Sequence, residues 1–107
     1  MADNNIKHLD DGSFAATVDS GLVLVDFWAP WCSPCLMQGP ILEEVANSAK
    51  EKITIAKVDV DQASRVATQY GIRSIPTLIL FKDGQAVEQW VGVQRAATLL
   101  AAINQHV

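Results

Sequence analysis

The chain predicts an α/β fold, a mixed β-sheet with helices on both faces. Three observations carry this prediction. Segments of strand and helix character alternate as far as Gly71. The runs Leu22 to Trp28 and Ile53 to Val60 are apolar on both faces, as central strands must be. Later, an Asp83-Gly84 pair separates two further runs, which is a two-residue hairpin signal. Alternation first and a hairpin last imply a mixed sheet covered on both sides.

Each element follows from its residues. Ile6-Lys7-His8-Leu9 suits a short edge strand, and Asp10-Asp11-Gly12-Ser13 offers several caps to a helix over Phe14, Ala15, Thr17 and Val18. Gly21 is a plausible stop. Leu22 to Trp28 is a central strand whose one polar exception is Asp26. After Cys35, Met37, Ile41, Leu42, Val45, Ala46 and Ala49 recur at three- and four-residue spacing, an amphipathic helix in which Pro40 should introduce a kink. Ile53 to Val60 is a second buried strand, with Lys57 as its exception. Asp61 to Tyr70 suits a helix capped by Asp61 and ended by Gly71. Ile75-Pro76 introduces the strand Thr77 to Lys82, Gln85 to Val91 returns beside it, and Ala96 to Gln105 closes the chain as a helix with Leu99, Leu100 and Ile103 inward. Trp90 is expected to pack on that helix.

Composition narrows the function. The 107 residues make one domain with room for a core. Half are hydrophobic and 19% charged, which fits a compact soluble globule. A net charge of −4 points to neither nucleic acid nor an anionic membrane. The polar start Met1-Ala2-Asp3-Asn4-Asn5 lacks the features of a signal peptide, and no apolar run approaches a membrane span. A reducing, cytoplasmic setting is the expectation, and there a close cysteine pair is catalytic or metal-binding more often than structural.

The organising stretch is Phe27-Trp28-Ala29-Pro30-Trp31-Cys32-Ser33-Pro34-Cys35, which holds both cysteines. A C-x-x-C at a strand-to-helix junction reads as a dithiol redox site. An inert pair or static disulfide is the plainer alternative. Zinc needs four ligands, and His8 and His106 alone could add nitrogens, so no metal is expected.

With these elements in place, the chain resembles the thioredoxin family over essentially its whole length. The likeness rests on Val25 to Cys32, Pro34-Cys35, Pro40, Lys57, Tyr70-Gly71-Ile72-Arg73, Ile75-Pro76-Thr77, Phe81-Lys82-Asp83-Gly84 and Val91-Gly92. It implies a thioredoxin fold: a five-stranded mixed sheet in the order 1-3-2-4-5, flanked by four helices, the last two strands antiparallel to the others. It also implies a monomeric protein disulfide reductase with no bound cofactor. A thioredoxin reductase, an NADPH-dependent flavoprotein, would be its donor and oxidised client proteins its substrates.

Residue chemistry agrees with that implication. Three-residue spacing in a first helical turn places two Cα atoms about 5 Å apart, within reach of a disulfide. Pro34 tolerates an early helical position. Free N–H groups and the helix dipole favour the Cys32 thiolate, thioredoxin itself being a standard illustration of the effect. Cys32 is the expected nucleophile and Cys35 the resolving thiol. Asp26 should be desolvated and its pKa raised, with Lys57 on the neighbouring strand as a possible partner. The resemblance makes Asp26 a base acting through water near Cys35; a buried ion pair serving only strand register is the alternative. The resemblance further implies a cis Ile75–Pro76 bond, with Pro76 against the disulfide and the Ile75 backbone paired to a client chain. Trp31, Val60, Ile72, Ile75 and Val93 match an apolar client-facing rim. Trp28 is expected to shape the loop, and Gly92 either admits a close client backbone or simply stops the strand.

Three positions depart from the family pattern. Ser33 stands where glycine is usual, Leu36 where a basic residue is common, and Ser74 where glycine is frequent in the client loop. The intervening pair tunes the potential, but thioredoxin and a strong oxidase differ by about 150 mV, roughly 7 kcal/mol, more than one serine supplies. Partner choice is thus more open than reaction type. A specialised redox partner with an altered potential, and a binding subunit without turnover, are the competing readings.

Overall fold

The computed structural model describes residues 5–107. Five strands, β1 (Ile6–Leu9), β2 (Leu22–Trp28), β3 (Thr54–Asp59), β4 (Thr77–Lys82) and β5 (Gln85–Val91), alternate with helices α1 (Phe14–Val18), α2 (Ser33–Ala49), α3 (Ser64–Gln69) and α4 (Ala96–His106). They form one sheet in the order β1-β3-β2-β4-β5, as the resemblance implies. β1, β2 and β3 are parallel, and β4 is antiparallel to β2. β5 is antiparallel to β4, so it runs with the first three strands. The expectation that both late strands oppose the others is corrected: a two-residue hairpin reverses the chain, so its two arms cannot share a direction. Asp83 and Gly84 make that turn with φ of 50° and 88°, the left-handed pair a tight hairpin requires.

Two apolar layers sandwich the sheet. On one face Ile6, Leu22, Leu24, Ile55, Leu78 and Leu80 pack with Leu42, Val45 and Ala49 of α2 and Leu99 and Ile103 of α4. Trp90 packs against this layer, as expected. On the other, Val23, Val25, Phe27, Val58, Ile79 and Phe81 pack with Phe14, Val18 and Val66. The rings of Phe14, Tyr70 and Phe81 meet at centroid distances of 5.4–5.7 Å, the edge-on and tilted contacts that aromatic quadrupoles favour.

Several boundaries differ from the sequence expectation. α2 starts at Ser33, with Cys32 as its N-cap, and it continues through Pro40. α3 starts at Ser64 rather than Asp61. Its first turn is capped from afar: the Val66 N–H donates to Asp11 Oδ1 at 2.9 Å, across 55 residues. Asp61 is free of that duty because the chain first turns on Asp59, whose carbonyl accepts from Gln62 and Ala63. Within α2 the buried stripe is Cys35, Gln38, Leu42, Val45, Ala46 and Ala49. Met37, expected on the apolar face, is 63% exposed. Helical geometry takes every third or fourth residue back from Leu42, which is Gln38 and Cys35, whatever their polarity.

Candidate active site

The dithiol sits where β2 hands over to α2. Ala29 is buried, and its carbonyl accepts from the Cys32 N–H at 3.1 Å, closing a tight turn. Cys32 is extended (φ −99°, ψ 109°), its carbonyl accepts the Leu36 N–H at 3.1 Å, and Pro34 occupies the first turn. Proline is harmless there because first-turn N–H groups have no intrahelical partner. Cys32 and Cys35 form a disulfide with Cα atoms 5.2 Å apart. The two sulfurs are not equivalent. Cys32 is 6% exposed and Cys35 fully buried. Cys32 Sγ accepts the Cys35 N–H at 3.2 Å and stands 3.8 Å from the Ile75 carbonyl oxygen. The Ile75–Pro76 peptide is cis, as the resemblance implies. Ser33 and Pro34, the intervening pair, are both exposed.

Asp26 and Lys57 are register partners on β2 and β3. Asp26 shares its sheet face with Leu24, so it looks toward α2. It is completely buried, and neither carboxylate oxygen has a hydrogen-bond partner among the protein groups. Desolvation pushes its pKa up to about 7, against a smaller opposing pull from the Lys57 charge. The expected pairing takes a looser form than a salt bridge. Lys57 Nζ lies over the Trp28 ring, 4.0 Å from its centroid, a cation–π contact. Lys57 thus acts on Asp26 through the field rather than through a bond.

The predicted rim residues do not all gather equally. Val60 and Ile75 pack directly against the cysteines, with Trp28. Ile72 packs on the α1–α3 side instead. Trp31 is 70% exposed, and its Nε1–H donates to Asp61 Oδ2 at 2.7 Å. That bond, spanning the site, is the role Asp61 takes in place of capping. The Ser74 carbonyl accepts from the Thr77 hydroxyl. Gly92 has φ +93°, a conformation that side chains resist, and its N–H donates to the Pro76 carbonyl at 2.8 Å. Val93 follows, half-buried. Leu36, 55% exposed, extends the apolar surface along α2 together with Met37.

Sequence reasoning missed Gln38 and Gln94. The Gln38 amide is fully buried, donates to the Gln94 carbonyl at 3.0 Å and accepts from the Gln94 N–H at 2.7 Å. The signal was there: position 38 lies three residues after Cys35 and four before Leu42 on one helix face.

A helix-borne disulfide whose first cysteine is the less buried, beside the Ile75 backbone carbonyl, can exchange with another disulfide. No group of three or more His, Cys, Asp or Glu among the described residues could hold a metal ion. Nor is any helix of the described residues long and apolar enough to cross a membrane. A family model described as thioredoxin matches residues 5–105. The thioredoxin of Bacillus subtilis (strain 168) is 46% identical over 97 residues, 91% of this chain and 93% of that protein. The thioredoxin of Staphylococcus aureus (strain Mu50 / ATCC 700699) is 46% identical over 102 residues, 95% of this chain and 98% of that protein. Matched in sequence over nearly its full length, in sheet order and in its cysteine pair, the chain belongs to the thioredoxin family and is a dithiol–disulfide oxidoreductase.

Proposed function

We propose that the chain is a general protein disulfide reductase in which Cys32 attacks and Cys35 resolves. The unequal burial of the two residues supports this assignment: Cys32 keeps a residual 6% exposure and Cys35 has none. The Cys32 thiolate attacks one sulfur of a client disulfide, and the other client sulfur leaves as a thiolate. The reduced Cys32 sulfur is stabilised by the same Cys35 N–H that it now accepts, and by the helix N-terminus. Cys35 then loses its proton, attacks the Cys32 sulfur and expels the second client thiolate. Two electrons have passed to the client, and the Cys32–Cys35 disulfide remains. Asp26, with a pKa raised to about 7, is suited to accept the Cys35 proton at neutral pH. Lys57 limits how far that value rises.

The client chain lies across the rim of Trp31, Val60, Ile72, Ser74, Ile75, Gly92 and Val93, its backbone against Ile75, whose carbonyl already faces Cys32. A thioredoxin reductase using NADPH returns the electrons, and the protein works as a cytoplasmic, single-domain monomer. Cys35→Ser is expected to accumulate covalent adducts with an oxidised client on non-reducing gels, and Cys32→Ser to form none. Adducts on Cys32→Ser instead would reverse the assignment. Insulin reduction driven by NADPH and thioredoxin reductase tests the donor. Absence of turnover there, with adducts still formed, would favour a specialised redox partner.

A further inference from the structure

We infer that Gln38 is a positioning residue: it pins the loop carrying Gly92 and Val93 to the dithiol helix, and so sets how well protein clients dock. The inference rests on the proposed rim. Gln38 is the one polar member of an otherwise apolar stripe on α2. An amide there costs free energy unless both its ends are bonded. Both are bonded, and to a single residue: the carbonyl oxygen takes the Gln94 N–H at 2.7 Å and the amide gives to the Gln94 carbonyl at 3.0 Å. The pair of bonds imitates one rung of a β-ladder, made by a side chain.

The position of Gln94 gives the clamp its consequence. The segment from Gly92 to Arg95 joins β5 to α4 and belongs to neither. It is held at one point by the Gly92 N–H on the Pro76 carbonyl, and at a second by Gln38 on Gln94. The Gln94 side chain folds back on the same segment, donating to the Gly92 and Val91 carbonyls at 3.2 and 3.4 Å. Val93 is the residue between the two anchors. Gln38 lies three residues beyond Cys35 on the same helix face, so the clamp sets Val93 relative to the sulfurs. A small disulfide needs only Cys32 Sγ; a protein client also needs the rim in place before it docks.

The test uses pre-reduced protein mixed with insulin or with a small aromatic disulfide, oxidation being followed by tryptophan fluorescence. Gln38→Met keeps the volume and removes both bonds. The insulin rate is expected to fall between about three- and tenfold, and the small-disulfide rate by less than about twofold. Gln38→Glu supplies a second readout, because only a protonated carboxyl can both donate and accept. Its insulin rate, relative to the unaltered protein, should decline as pH rises between about 6 and 9. Equal losses on both substrates, or an unchanged insulin rate with either variant, would overturn the inference. Val93→Ser separates the two readings. A slower insulin reaction in Val93→Ser with no effect of Gln38→Met defeats the clamp alone. No effect of Val93→Ser defeats the rim reading beneath it.

Discussion

Two of the buried polar side chains, Gln38 and Asp26, are treated in opposite ways. Gln38 is on α2, and its amide is bonded at both ends. Asp26 is on the central strand, and both its oxygens lack protein partners. Each is wholly excluded from solvent. Burial of a satisfied amide is close to neutral and gives specificity of arrangement, whereas burial of an unsatisfied carboxylate is costly and leaves its proton movable. The fold thus keeps one polar group for geometry and another for chemistry. A polar residue in a core reveals which it is by whether its bonds are filled.

The difference is sharpest in stability. Asp26 has its folded pKa raised from 3.8 to about 7, so the native state holds that proton more tightly than the unfolded chain does. Stability from this group is full below the unfolded value, falls as pH rises through the window from 3.8 to about 7, and stays low above it. Asp26→Asn should therefore stabilise the oxidised protein by about 4 kcal/mol at pH 8 and by little at pH 3, an order-of-magnitude figure from about three pH units. Urea denaturation at the two pH values measures it. A destabilised Asp26→Asn at pH 8 would mean that the carboxylate is satisfied after all, and the contrast with Gln38 would collapse.

The chemical half of the comparison predicts the next largest effect. Asp26→Asn should slow release of a trapped mixed disulfide by about a hundredfold near neutral pH, the lower end of what a positioned base contributes. Quenched-flow mass spectrometry of the adduct follows it directly, and an unchanged release rate would return Asp26 to a structural role.

Gln38→Met should move stability the other way, costing about 1–2 kcal/mol for the unpaired Gln94 groups, with no pH dependence between about 4 and 8. Calorimetry on Asp26→Asn and Gln38→Met side by side gives opposite signs if the distinction is real. The smallest effect belongs to Lys57. Lys57→Met removes the one charge that lowers the Asp26 pKa, so Asp26 should titrate higher, and the contact with Trp28 is lost. Carbon-13 NMR of the Asp26 carboxyl reads the titration; a midpoint that moves down would show that Lys57 does not face Asp26 as described.

Much of this was legible in the chain. Leu22 to Trp28 announces a central strand because both of its faces are apolar, and Asp26 is conspicuous as the exception. Asp83-Gly84 announces its hairpin because few residue pairs accept two positive φ angles. Cys32 and Cys35 are marked by type and spacing. Gln38 is legible only from its place between Cys35 and Leu42 on one helix face, because reading a helix by hydrophobicity alone assigns polar residues to solvent and draws Met37 inward. Local reading makes Asp61 a cap, whereas its carboxylate accepts from the Trp31 ring on another loop. Asp11, which caps α3 from 55 residues away, escapes local reading for the same cause.

The sequence alone determined the alternation of elements, the two-faced core and the identity of the redox pair, because periodicity, turn chemistry and cysteine spacing act over a few neighbouring residues. The tertiary structure decided which cysteine is the more deeply buried, that Lys57 lies over Trp28 rather than bonding Asp26, that β5 runs with the first three strands, and that Gln38 grips Gln94. These depend on groups distant in the chain meeting in a low-dielectric interior. There a hydrogen bond made or left unmade outweighs local preference.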